Sequence, residues 1–562
     1  MKKWLSMFLA AVMLCGVLAG CGGTQSGSTP ASGAQSASAA GDSNVNAEGF
    51  PIVNEPITLR GMVALNANVK DWNEHPALKR MEELTGIHIE WECVPDAGFT
   101  EKRNLAFASD DLPDIILRAK ISPQEEMKYA ANGQLVALDE YLDYAPNLSA
   151  LIEQDDAIRK GITMPDGHIY SCPQLNKTEG NLIHHYWINK TWLDEVGKEV
   201  PTTVDEWVDC LKAFRDGGDL NGNGAADEIP MATWFGATDT FGSYNMFYRF
   251  TGAFGCADSY CGGNAYADHL RLIDDKVTFT AQDEAFRKTA EFFNMLYNEG
   301  LIWNGSFEAD ESASYKSSLI KEEVARIGCF GTWTDQEITN LDVHDEYVAI
   351  PRLQGEAGMT GFENNYSELQ DSSNTAITTS CKFPHVVAKF VDYMVGDPAI
   401  SIQSNWGAEG YNYVKDDNGI LRTPLDEQGR YVAQTEYTNF GEARVNSTTC
   451  RGSMIVLDEY YETVAGYAYD AVQLLENQKT NGKEDIMAEN DTIPRVMMTT
   501  DELSRLAQIQ PTISDIVDRY INQWVTGGVT DDNWNAYLGE LQSAGVEELV
   551  SIYQSAVDRS SK

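Results

Sequence analysis

An open α/β fold is predicted by three features of this chain. Short apolar runs alternate with helical patterns from residue 57 onward, the alternation resumes from Tyr186 to about Ile350 and near Ala376 to Val395, and roughly the last hundred residues read as helix. Strand and helix alternating at this spacing call for parallel strands joined by right-handed crossovers.

The first buried strand is Ile57–Leu65, followed by a polar loop from Asn66 to Glu74. A helical pattern then runs from Pro76 to Leu84, and Thr85-Gly86 supplies its C-cap. Strand Ile87–Glu92, a helix around Lys102–Ala108, strand Asp114–Leu117 and a helix near Pro123–Ala131 continue the alternation. Further on, Thr203 precedes Glu206 by three residues, the spacing of a capping box at a helix start. Open sheets bind ligands at the carboxyl ends of their strands, which nominates the loops Asn66–Glu74 and Ser109–Pro113.

Composition narrows the function. The chain has 562 residues with 85 Asp+Glu against 41 Lys+Arg, a formal charge of −44. Neutralising phosphates takes clustered Lys and Arg, so nucleic acid and anionic lipid are poor partners. With 43% hydrophobic and 10% aromatic residues there is enough apolar side chain for large cores, so the acidity is not disorder. At about 150 residues per domain the length allows three or four units, or two larger lobes.

Lys2 and Lys3 precede an apolar stretch from Trp4 to Ala19, shorter than the roughly 20 residues that span a bilayer and suited to a signal-peptide core. It ends in Leu18-Ala19-Gly20-Cys21, which resembles a bacterial lipobox with Cys21 as the lipidated first mature residue. Residues 1–20 are therefore expected to be a signal peptide and 21–49 a flexible tether rich in Gly, Ser and Ala, leaving the protein anchored outside a membrane rather than spanning it. The remaining cysteines show no metal-binding spacing; Cys256 and Cys261 are near enough in sequence for a disulfide, or are small buried hydrophobes.

One loop carries strong chemistry. Asp219, Asn221 and Asn223 place side-chain oxygens at loop positions 1, 3 and 5, Gly224 at 6 allows the sharp turn, and Asp227 and Glu228 close it. With the backbone carbonyl of Ala225, this is an EF-hand-like set of oxygens suited to a hard cation. Calcium fits better than magnesium, which keeps its waters, and with no nucleophile nearby the ion is expected to be structural. The alternative is an Asx-rich turn without metal.

Several segments in chain order resemble the family 1 extracellular solute-binding proteins of ABC importers. They are Glu82–Ile87, Asn104–Asp114, Gly133–Asp139, Trp187–Leu193 leading into Pro201, the loop Asp219–Pro230, Trp406–Tyr411 and the stretch from Thr526 to Tyr537. The resemblance implies a two-lobed fold of the maltose-binding type (type II), with residues 50–170 and 375–430 in one lobe and 171–374 and 431–562 in the other. It further implies a monomer on the extracellular face that closes by hinge motion on its solute and delivers it to the permease subunits.

Sugars present hydroxyls and apolar CH faces, so a carbohydrate site needs aromatic platforms with polar partners. The expected platforms are Trp333, which stands where maltose-binding relatives carry a stacking tryptophan, with Trp406, Trp234, Trp72 and Tyr411; the polar partners are Asn66, Asp110, Asp335 and Glu409. The length favours an oligosaccharide. Two other readings compete: a secreted calcium-containing glycoside hydrolase, which needs a pair of carboxylates about 5–10 Å apart, and a peptide-binding importer component. With no nucleophile elbow, HExxH or P-loop in the sequence, a binding protein without catalysis is the expectation.

Overall fold

The computed structural model describes residues 43–560 except 66–70, 178–184, 237–243, 259–267, 309–311, 320–323, 333–337, 340–342, 344–345, 361–368, 428–430, 433, 435–439, 449–451, 453, 462, 467–492, 494–495 and 497. Residues Asn44–Lys562 form one compact unit. Within it lie a six-stranded and a four-stranded sheet, each with its own core.

The first sheet has the order β14-β4-β11-β3-β1-β2, with β1 Ile57–Leu65, β2 Ile87–Pro95, β3 Ile115–Leu117, β4 Ser171–Lys177, β11 Leu369–Ile377 and β14 Met454–Leu457. β1 pairs in parallel with β2 and β3, as the alternation predicts. Its side chains divide between two cores: Leu59, Val63 and Leu65 enter one, Met62 and Ala64 the other. Burial on both faces explains why the run is nearly all apolar. Helices α1 (Pro76–Thr85), α2 (Asp96–Ser109) and α3 (Pro123–Ala131) cover it. Gly86 ends α1 in the left-handed conformation at φ 75°. α2 starts a turn and a half earlier than its apolar pattern announces.

The second sheet has the order β10-β5-β9-β6, with β5 His185–Asn189, β6 Ile229–Ala232, β9 Ile327–Thr332 and β10 Tyr347–Ala349. Beside it stand the hairpin β7 (Leu270–Ile273) and β8 (Lys276–Phe279), and the short pair β12 (Val414–Lys415) and β13 (Leu421–Arg422) lies elsewhere in the chain. The expected helical C-terminus is present as Thr500–Gly527, Asp531–Ala544 and Val546–Ser560, and Trp524, Trp534 and Tyr537 pack it into the core of the second sheet.

The chain passes between the sheets after β4, between β10 and β11, and again between β14 and the C-terminal helices. β14, β4 and β11 are neighbours, so the crossings gather at one side of the first sheet. Met454–Leu457 was expected with the second lobe; it instead pairs in parallel with Gln174–Lys177 and extends the first sheet. β4 likewise lies in the first sheet as far as Lys177.

The folded body also begins earlier than the expected end of the tether. Asn44 exchanges hydrogen bonds with the backbone of Glu55, and Lys389 donates to the carbonyls of Asn46 and Ala47. Composition gave no sign of this, because the anchoring groups are backbone carbonyls and a lysine more than 300 residues away.

Candidate functional site

In the register of β1 and β3, Gly61 stands beside Ile115 and Val63 beside Leu117. Residues 110–113 therefore precede β3 and lie at the amino end of the sheet. There Asp114 donates its backbone N–H to Arg60 O (2.8 Å) and Asp111 pairs with Arg60 (3.2 Å). Asp110 is thus placed away from the carboxyl-end site for which it was nominated. It caps α2 at φ 60° and accepts from Gln134 Nε2 at 3.0 Å.

The segment that does leave the carboxyl end of β3 is Arg118–Ile121. Arg118 is buried at φ 53° and its Nη1 donates to Ala64 O at 3.0 Å; Lys120 stands at φ 48°. Two non-glycine residues in the left-handed region cost of order 1–3 kcal/mol each, which only a determined surrounding sustains. Here that surrounding is the buried Arg103, which donates to the carbonyls of Ala119 and Lys120 and pairs with Glu125 at 2.7 Å, together with Asn374 O accepting from Ala119 N at 2.8 Å. Sequence reasoning missed this segment. Applying the carboxyl-end rule to the exit of β3, rather than its entry, would have found it.

The aromatic candidates separate. Trp72 is 2% exposed and packs edge-on to Trp91, with ring centroids 5.7 Å apart. Trp234 is fully buried in the core of the second sheet, stacked on Tyr315. Both rings are core side chains here, with no face left for a ligand. Trp406 ends the helix Pro398–Trp406 as a buried side chain packed in a core with Ile402, Tyr413 and Phe440, so it too is placed as core and not as an open platform, while Glu409 and Tyr411 stand on the loop that follows. The Arg444 guanidinium lies 3.8 Å from the Trp406 ring centroid, Glu409 pairs with Lys415 at 2.9 Å and faces Arg80 at 3.7 Å, and Tyr411 O accepts from the Tyr431 hydroxyl at 3.4 Å. Trp333, Asp335 and Asn66 lie outside the described residues, as does Cys261 of the expected disulfide. His75, which starts α1, sits close by: its Nε2 is 3.5 Å from Val445 O, and burial lowers its pKa to about 4.

The loop Asp219–Glu228 folds on its own oxygens. Asp219 Oδ2 accepts from Gly224 N (2.9 Å), Asn223 Oδ1 from Ala225 N (2.8 Å), and Glu228 Oε1 from Leu220 N (2.6 Å). Asn223 Nδ2 reaches Asp227 Oδ1 at 3.0 Å, and Gly224 adopts φ 90°, as the turn requires. The carboxylates of Asp219, Asp227 and Glu228 are thus engaged with groups of the loop itself. Among the described residues no group of three His, Cys, Asp or Glu is drawn together closely enough to hold a metal. Three like charges repel, and here they turn to the loop's N–H groups and to Arg326, 3.8 Å from Asp227. The donor chemistry fits a hard cation; the convergence of the carboxylates is what an ion would add.

Residues 59–400 match the bacterial extracellular solute-binding protein family. The chain belongs to that family. This solute-binding protein is 30% identical over 571 residues to the fructooligosaccharide ABC transporter substrate-binding protein FusA of Streptococcus pneumoniae serotype 4, covering 99% of each chain. It is 26% identical to lipoprotein LipO of Bacillus subtilis, over 99% of this chain and 95% of that one. FusA in complex with kestose superposes with a TM-score of 0.76 at 29% identity, covering 90% of this chain and 99% of that one. An EF-hand mutant of FusA with fructo-nystose gives 0.75 at 28% identity, with the same coverage. The two sheets joined by several crossings are therefore the two lobes of the type II solute-binding fold.

Proposed function

We propose that this protein captures an oligosaccharide outside the cell and passes it unchanged to the transmembrane subunits of an ABC importer. The observation that carries this reading is end-to-end similarity to FusA. The residue types support it: Tyr411 and Glu409 stand on the loop after the helix Pro398–Trp406, and Trp333 and Asp335 follow β9 in the sequence. Fructose oligomers are the first class to try.

Cys21 is the lipid attachment point in this reading, and the body begins at Asn44 after a short tether. Among the described residues no helix is long and apolar enough to cross a membrane. The protein acts as a monomer at the extracellular face. Its loop Asp219–Glu228 binds calcium through Asp219, Asn221, Asn223, Ala225 O, Asp227 and Glu228, and the ion braces the second lobe without taking part in binding.

Tryptophan fluorescence titrated with kestose, maltotriose and a tripeptide tests the ligand class. A saturable change with kestose is expected. A response to the tripeptide alone would replace this reading with peptide capture.

A further inference from the structure

The two lobes touch through a bond that the site as described does not use. Gln124 Nε2, in the first turn of α3, donates to Ser504 Oγ at 2.8 Å in the long helix Thr500–Gly527. α3 belongs to the first lobe, where Tyr129 stacks on Phe107 with ring centroids 3.6 Å apart. Ser504 belongs to the second, anchored by Leu506 and Ile509 in its core. Residues of both lobes therefore meet at the amino end of α3, which follows the Arg118–Ile121 segment at the carboxyl edge of the first sheet.

The same turn is also tied to two crossing strands and to the segment at the carboxyl edge. Glu126 is buried, and its two carboxylate oxygens accept from Ser171 Oγ on β4 and Ser373 Oγ on β11, two of the strands that lead across to the other lobe. Glu125 completes a capping box with Ser122 and pairs with Arg103, which in turn holds the carbonyls of Ala119 and Lys120. Within one turn of helix, successive residues thus reach the opposite lobe, the carboxyl-edge segment and the crossing strands.

We infer that this turn is a latch, in which the Gln124–Ser504 bond holds the lobes together over the ligand cleft and Glu125 and Glu126 fix its position relative to the cleft edge and the hinge. This rests on the reading that the lobes close on a solute. The bond joins a neutral amide to a hydroxyl, so unlike the surface ion pairs its contribution does not fade with salt. Losing one such bond is worth about two- to tenfold in the population of the closed form.

The test compares the protein with Gln124→Ala, Ser504→Ala and the double variant. Both side chains are only half-buried, so folding survives and is checked by melting. Two measurements are made: kestose affinity by calorimetry in low and high salt, and the radius of gyration of ligand-free protein by X-ray scattering. The latch predicts that each single variant weakens kestose by about two- to tenfold at both salt concentrations, and that the double variant is no worse than the weaker single. It also predicts that the ligand-free double variant is more expanded than the parent. Single-variant affinities within the error of the parent, or losses that multiply in the double variant, would overturn it. If the parent binds no kestose, the oligosaccharide reading has failed and scattering alone decides: equal radii for parent and double variant overturn the latch, and a larger radius for the variant upholds it.

Discussion

Gly61 lies against the indole of Trp91 on the neighbouring strand, so closely that a β-carbon at residue 61 would stand 2.5 Å from Trp91 Cε3. The two residues are register partners in β1 and β2, and the missing side chain is the space the ring occupies. Gly61→Ala should therefore destabilise the first lobe by about 1–3 kcal/mol, the usual cost of overpacking, despite alanine's better strand propensity. Urea denaturation measures it. An unchanged midpoint would show that the ring is free to move aside.

The buried tryptophans and the proposed platform should respond oppositely. Trp234→Ala empties a fully buried site and is expected to cost about 3–5 kcal/mol while leaving the kestose affinity of the folded fraction unaltered. Trp333→Ala should leave the melting temperature nearly unchanged and weaken kestose at least tenfold. Calorimetry paired with melting curves separates the two, and affinity loss in Trp234→Ala with no loss of stability would reverse the assignment.

Calcium removal should act on stability alone. Chelation is expected to lower the melting temperature by several degrees, and Asp219→Ala should melt at the lower temperature with or without the ion. Extracellular calcium loops bind with dissociation constants of about 10⁻⁴–10⁻³ M, so the titration belongs in that range. Identical melts before and after verified metal removal would mean that the loop is only an Asx-rich turn.

His75 predicts a pH dependence. Burial lowers its pKa from 6.5 to about 4, so the unfolded chain takes up a proton that the folded chain refuses. The stability this leaves is complete above about pH 6.5 and drains away as pH falls toward 4. By pH 5 the loss amounts to about 2 kcal/mol. Denaturant curves at pH 7.5 and 5 should show His75→Phe losing about 2 kcal/mol less than the parent over that interval, and parallel losses in the two proteins would place the proton elsewhere.

Helix boundaries in both lobes were legible because local signals agreed. Pro76 and Gly86 bracket α1 with a helix start and a left-handed C-cap, and Thr203 and Glu206 form the reciprocal capping box that their spacing announces. What was not legible depends on partners distant in sequence. β14 is a four-residue strand whose place is set by pairing with β4, 280 residues earlier, and nothing local to Met454 reports that. Trp72 and Trp234 carry the same side chain as a sugar platform, and only packing against Trp91 and Tyr315 distinguishes core from surface. The error over Asp110 is of another kind: the carboxyl-end rule was sound but was applied to the loop entering β3. Arg118, on the far side of the same three-residue strand, is where the rule leads.

The central claim is reversible capture of an unaltered sugar. Equilibrium dialysis of the purified protein against kestose, with chromatography of the sugar recovered from both chambers, tests it most directly. The account predicts saturable retention at one site per chain and recovery of intact kestose alone. Release of fructose or sucrose in proportion to protein and time, or the absence of retention for every oligosaccharide tried, would contradict it.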